Sequence, residues 1–139
     1  MWRSFTSPAG THVYFRVEGA CLENIIVGNH DAACARALQR EYDIVEARHQ
    51  QFVGFHYWMH APTYDTESRV LWMNWLRTKN GTLKETHFAA RSRIVKMGLA
   101  VANLAYSNTT FVVHGDDASY LAARKKHMSD LAFPELPPA

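Results

Sequence analysis

The stretch that most constrains this fold is Gln51 to His60, QFVGFHYWMH, a run in which aromatic and β-branched residues dominate. Its composition predicts a strand. A short junction, Ala61-Pro62-Thr63-Tyr64-Asp65, follows. From Thr66 to Asn80 the apolar residues recur at helical spacing, with Leu71, Trp72, Trp75 and Leu76 on one side and Val70 and Met73 flanking them. Asn80-Gly81 is a helix stop. A strand handed directly to an amphipathic helix is the nucleus of an α/β sheet.

The rest of the chain repeats this alternation. Residues 2 to 7 and 12 to 18 read as two strands turned at Ser7-Pro8-Ala9-Gly10. In the second, Val13, Phe15 and Val17 alternate with His12, Tyr14, Arg16 and Glu18, which predicts a hairpin near the sheet edge with one buried and one wet face. Gly19 to Gly28 reads either as a short third strand or as an irregular connection. Asp31 to Arg48 is strongly helix-forming, with Asn29 or Asp31 as its cap and Cys34, Leu38, Tyr42 and Val45 on its core face. A strand over residues 83 to 90 leads to a helix from Arg93 to Ser107, capped by Ser92. Ile94, Val95, Met97, Leu99, Val101 and Leu104 surround much of that helix, so it packs on two sides or serves as an interface. A last strand, Thr109 to His114, precedes a helix from Asp116 to Met128 whose acidic start and basic end suit the helix macrodipole.

The expected architecture is a mixed four- to five-stranded α/β sheet with an N-terminal hairpin and about four helices packed on it, forming one domain over residues 1 to 130. Leu131 to Ala139, with Pro134, Pro137 and Pro138, is an extended tail that packs back, swaps onto a neighbour or hangs free.

Composition narrows the function classes. A net charge of +2 is too mild for a nucleic-acid surface. The longest apolar stretch, Met97 to Ala105, is far short of the ~20 residues that span a bilayer. Met1 to Thr6 carries no apolar run of signal length, so the expected location is cytoplasmic, with Cys21 and Cys34 as reduced thiols rather than a disulfide.

Eight histidines raise metal chemistry first, above all His56-x-x-x-His60. On a strand rising ~3.3 Å per residue those two rings share a face but stand about 13 Å apart, too far to share an ion. His60 still falls at the carboxyl end of a strand, where open α/β sheets place ligands, and an enzyme using His60 with Asp65 or Arg91 is one reading. A histidine donating to a backbone carbonyl is the other. There is no nucleophile elbow, glycine-rich phosphate loop or Cys/His ligand spacing, so no cofactor or metal is expected.

Two helix starts suit an anion or a modification: Asp65-Thr66-Glu67-Ser68, and Arg91-Ser92-Arg93 with Lys96 one turn on. Capping by Asp65 and Ser92 accounts for the same residues. Trp58, Trp72 and Trp75 are core aromatics or, with Met97 and Val101, the lining of an apolar pocket or interface.

The succession Tyr64-Asp65-Thr66-Glu67-Ser68-Arg69 with Trp72 and Trp75, then the run from Ala90-Arg91-Ser92-Arg93 through Lys96-Met97-Gly98-Leu99 to Leu104, resembles the bacterial SpoIIAA-like proteins of the STAS/SEC14 type over roughly residues 10 to 127. The resemblance implies a small mixed-sheet α/β domain without catalytic apparatus, from a superfamily of regulatory modules that dock on kinases, anti-sigma factors or transporters. In the anti-sigma antagonists an Asp-Ser pair at the loop-to-helix junction after a central strand carries the phosphorylated hydroxyl. Asp65-Thr66 holds the matching place, which transfers that role to Thr66, with Ser68 nearby. Glu67-Ser68-Arg69 stands where the antagonists carry small residues such as Ser-Gly-Leu.

The expected function is therefore a non-enzymatic regulatory domain with a protein partner, self-associating as a homodimer through the 93 to 107 or the 66 to 80 helix. The alternative is a carrier of an apolar or lipid-like small molecule held between sheet and helices. That reading requires a cavity of ~300 Å³ or more beside Trp72 and Trp75.

Overall fold

The structure, a computed structural model, describes residues 1–79, 81–105 and 108–138, with Leu104 and Ala105 described as backbone only. Its elements are β1 (Arg3–Thr6), β2 (His12–Glu18), β3 (Cys21–Val27), α1 (Ala32–Arg48), β4 (Phe52–His60), α2 (Thr66–Lys79), β5 (Leu83–Ala90), α3 (Arg93–Ala105), β6 (Thr110–His114) and α4 (Asp117–Lys125). The expected helix ends at Asn80 and Ser107, the side chain of Leu104 and the terminal Ala139 lie outside the described residues.

The strands form a single sheet in the order β1-β2-β3-β4-β5-β6. The pairs β1/β2 and β2/β3 are antiparallel, and β3 to β6 are parallel, as strand-helix alternation requires. The sheet thus has six strands, not four or five. The added certainty comes from β3, which joins the hairpin to the parallel half and is buried along its whole length. Glu23 and Asn24 interrupt its apolar pattern, and that interruption leaves the segment ambiguous to a reading of hydrophobic periodicity.

Helices α1, α2 and α3 cover one face. There Leu22, Ile26, Phe52, Trp58 and Phe88 of the sheet meet Leu38 and Tyr42 of α1, Leu76 of α2 and Val95 and Leu99 of α3. The other face carries Ile25, Phe55, Tyr57 and Ala89 under Tyr120 of α4, Met128, and Phe133 and Leu136 of the tail. The tail packs back: the Trp2 indole donates to the Ala132 carbonyl at 2.9 Å, and the Phe133 ring meets Tyr57 edge-on at 4.7 Å.

The second face corrects the reading of the hairpin. Val13 and Phe15 are buried as expected, but Val17 is 42% exposed and Arg16 only 3%. Arg16 Nε donates to Glu23 at 2.9 Å, and Glu23, fully buried, also accepts from the Tyr120 hydroxyl at 2.7 Å and from Arg124 at 3.3 Å. Packing of α4 turns what reads as a wet face into a paired, buried one. Asp31, rather than Asn29, caps α1, accepting from the Cys34 N–H at 2.9 Å and the Ser7 hydroxyl at 2.6 Å. Cys21 and Cys34 are buried free thiols.

Candidate functional site

The pairing of β3 with β4 continues past their carboxyl ends. His30 and Tyr64 form a parallel bridge, with the His30 N–H donating to Thr63 O at 2.9 Å and the Asp65 N–H to His30 O at 3.1 Å. Asn29 completes the clamp: its side-chain amide donates to Asp65 Oδ1 at 2.8 Å, and its Oδ1 accepts from the Thr63 hydroxyl at 2.8 Å. The loop between β3 and α1 therefore positions the junction that delivers α2.

Within this frame the predicted residues separate. Asp65 begins α2 with its backbone, its carbonyl accepting from the Arg69 N–H at 3.0 Å, but its carboxylate is held by Asn29 and does not cap the helix. Thr66 opens α2 and is exposed. Ser68 is only 1% exposed and faces a cavity under α2, so its hydroxyl is removed from any modifying enzyme. Glu67 forms a surface ion pair with Arg36 of α1 at 2.6 Å. Each carboxylate flanking Thr66 is thus already engaged by a residue of the preceding loop or helix. Asn29, His30 and Arg36 are absent from the sequence-level site. The available signal is position alone, since Asn29 and His30 follow a strand at the carboxyl edge where such sheets hold their sites.

His30 is buried and meets Trp58 edge-on at 4.7 Å. The Trp72 indole donates to its Nε2 at 2.9 Å, so the ring is a neutral acceptor with its proton on Nδ1. Burial pushes its pKa down to about 4, against the pull of Asp31 and Asp65.

His56 does structural work. Its Nδ1 accepts from the Asn24 amide at 2.8 Å, which places the proton on Nε2, 2.9 Å from the Thr86 hydroxyl and 3.0 Å from that of Tyr42. Asn24 Oδ1 in turn accepts from the Trp58 indole at 2.9 Å. Burial holds His56 well below its ordinary pKa. His60 lies half-buried at the end of β4, while Asp65 is bound to Asn29 and Arg91 is exposed.

At the start of α3, Ser92 is a cap: its Oγ accepts from the Val95 N–H at 3.4 Å and its carbonyl from the Lys96 N–H at 3.0 Å. Arg91, Arg93 and Lys96 are exposed around it. Val95, Leu99 and Ala102 turn α3 toward the sheet, and Ile94, Met97 and Val101 remain 55%, 69% and 58% exposed. The structure therefore splits the apolar group. Trp58, Trp72 and Trp75 line the inner cavity with Phe88 and Leu99, whereas Met97 and Val101 face outward. The cavity measures about 80 Å³, well below the ~300 Å³ of small-molecule pockets, and gives the carrier reading no support. Tyr64 bridges junction and helix, since a Cβ added to Gly98 of α3 would lie 3.1 Å from the Tyr64 hydroxyl.

No protein-family model and no curated protein matches the sequence. Among solved structures, the chain is similar to an uncharacterized DUF3478-family protein with a SpoIIAA-like fold from Shewanella loihica, with a TM-score of 0.60 and 11% identity over 82% of this chain and 93% of that one. It is also similar to an anti-sigma factor antagonist from Mycobacterium paratuberculosis, with a TM-score of 0.57 and 12% identity over 87% of this chain and 99% of that one. At these identities the likeness establishes the fold alone, which is SpoIIAA-like. No helix among the described residues is long and apolar enough to cross a membrane.

Proposed function

We propose that this chain is a cytoplasmic, non-enzymatic regulatory domain that docks a protein partner on the outer face of α3, with Thr66 as the modified hydroxyl that sets its state. The carrying observation is the exposed stripe of Ile94, Met97 and Val101. Single apolar residues scatter over any surface, but three at i, i+3 and i+7 of one helix are the anchors of helix-in-groove recognition. Arg91, Arg93 and Lys96 rim the start of the same helix, so the matching partner presents an apolar groove edged with acidic residues. The fold shared with an anti-sigma factor antagonist supports a protein partner. In this reading residues 1 to 130 are the domain and the tail is a strap across its opposite face.

Thr66 is suited to the switch because it is exposed in the first turn of α2, where a phosphate meets free backbone N–H groups. Arg36, now on Glu67, is the cation a phosphate on Thr66 would draw across. Tyr64, two residues upstream, rests on α3 at Gly98 and supplies the physical link to the docking face.

The test places a photo-crosslinking residue at Met97 to capture the partner, then measures the purified pair by calorimetry. A Met97→Asp/Val101→Asp double variant should bind at least tenfold more weakly with an unchanged melting temperature, and Thr66→Glu should alter affinity. Sedimentation of the isolated chain covers the homodimer, since self-association lost in the double variant makes a second copy the partner. Affinity and association state both unchanged in that variant would exclude α3 as the docking face.

A further inference from the structure

A second cluster lies on the other side of the sheet, away from α3. Glu85 and His87 alternate on β5 and so project to the same face, and His127 reaches them from the turn that ends α4. Glu85 Oε1 is 3.1 Å from His87 Nε2, and its Oε2 is 3.9 Å from His127 Nε2. The three donor atoms all fall within 4.8 Å of one another. Tetrahedral bonds of about 2.0–2.1 Å set donors about 3.4 Å apart, so His127, the exposed member, needs a side-chain movement of about 1 Å to close the set.

The imidazole of His87 is held as a ligand needs to be held. Its ring stacks on Phe55 with centroids 4.6 Å apart and 11° between planes. Its other nitrogen, Nδ1, is 3.0 Å from His114 Nε2, and His114 Nδ1 is 2.5 Å from the Ser119 hydroxyl. A ligating histidine requires an acceptor for its second N–H, and here that acceptor is itself backed by another.

The chain of bonds can run in either direction, because the serine hydroxyl both donates and accepts. Running one way, Ser119 donates to His114, His114 to His87, and His87 Nε2–H to Glu85. Running the other way, His87 Nδ1–H donates to His114 Nε2 and His114 Nδ1–H to Ser119, which bares the His87 Nε2 lone pair toward Glu85. A cation between them would stabilise that second arrangement. The cluster also sits at the carboxyl end of α4, where the helix dipole favours positive charge; the His127 N–H itself donates to Arg124 O at 2.9 Å.

We infer that Glu85, His87 and His127 form a site for one divalent first-row transition ion of the zinc type, with a fourth coordination position open to solvent. Two imidazoles and a single carboxylate suit zinc and its neighbours, whereas magnesium and calcium favour all-oxygen shells. Glu85 and His127 are each about one quarter exposed at the side chain, which leaves an entry path for the ion and a place for a water ligand. The ion would tie β5 to the carboxyl end of α4, and so secure the seat of that helix and of the tail beyond it.

The test uses the full chain without an affinity tag, titrated with Zn²⁺ by calorimetry against a chelator of known affinity and with Co²⁺ by visible absorption. The expected result is one equivalent of Zn²⁺, a Co²⁺ spectrum of low coordination number, and a melting temperature raised by Zn²⁺. His127→Ala and Glu85→Gln should each weaken binding at least tenfold, and His114→Leu, which removes the positioning acceptor, about tenfold. His49→Ala, at an exposed histidine elsewhere, should bind as the unaltered chain does. His127→Ala and Glu85→Gln change partly exposed side chains, and their metal-free melting temperatures verify folding. Absence of saturable one-equivalent binding, or affinity in both ligand variants equal to that of the unaltered chain, overturns the site.

Discussion

The indole N–H of Trp72 donates to Nε2 of His30 at 2.9 Å, joining α2 to the loop that clamps the candidate switch. The bond requires an unprotonated Nε2, so the neutrality of His30 is a condition of its formation. Protonation would set two donors against each other at a buried ring.

Acid should therefore unfold this protein early. The folded pKa of His30 is held at about 4, against 6.5 for an ordinary histidine, so between those values the unfolded chain binds more protons and stability falls as pH falls. At ~1.4 kcal/mol per pH unit the loss from this residue reaches about 3 kcal/mol by pH 4. His56, also held low by burial, acts in the same direction. Urea unfolding at pH 7 and pH 4.5 checks this, and His30→Gln should show a shallower decline than the unaltered chain.

Glu23→Gln should cost about 3 to 5 kcal/mol, because it leaves Arg16 and Arg124 buried around a neutral group. The same change should loosen α4 and the tail, so limited proteolysis ought to cut beyond Gly115 sooner than in the unaltered protein.

Gly54→Ala is a test of close packing. An added methyl would lie 2.5 Å from the Tyr42 hydroxyl and 3.0 Å from His56 Nε2, so the buried hydrogen-bond network has to move. The expected cost is about 1 to 3 kcal/mol, read as a lower urea midpoint with an unchanged slope.

Trp75→Ala and Met97→Asp separate core from docking face. Trp75 packs against Tyr42 at 5.1 Å and Trp72 at 5.3 Å and donates to Asp43 at 3.0 Å, so its loss should destabilise the chain by about 3 kcal/mol. Met97 is largely exposed, and Met97→Asp should change stability by about 0.5 kcal/mol or less. Equal destabilisation by both would mean that the outer face of α3 packs within the domain.

The central unit was legible in advance: β4 from Phe52 to His60, the junction and α2 from Thr66 all follow from local composition and helical spacing. So did α1, from its apolar stripe and cap, α3, from its cap and apolar content, and α4, from the charge order of its two ends, because these signals act within a few residues of each other. The candidate site was legible only in part. Thr66 could be placed at a helix start, but the burial of Ser68 and the engagement of Asp65 by Asn29 depend on a loop more than thirty residues upstream.

Hydrophobic periodicity thus determined the order of elements, the parallel half of the sheet and the core side of α1, since each of these reflects transfer of apolar groups out of water, repeated along one segment. Tertiary structure decided what periodicity cannot encode: that Glu23 lies among Arg16, Arg124 and Tyr120 in a dry interior, that Glu85, His87 and His127 converge, and that Met97 and Val101 stay in solvent. The reason is that a charge or a ligand atom gains its energy from a partner's position in space, and only the folded chain brings such partners within reach.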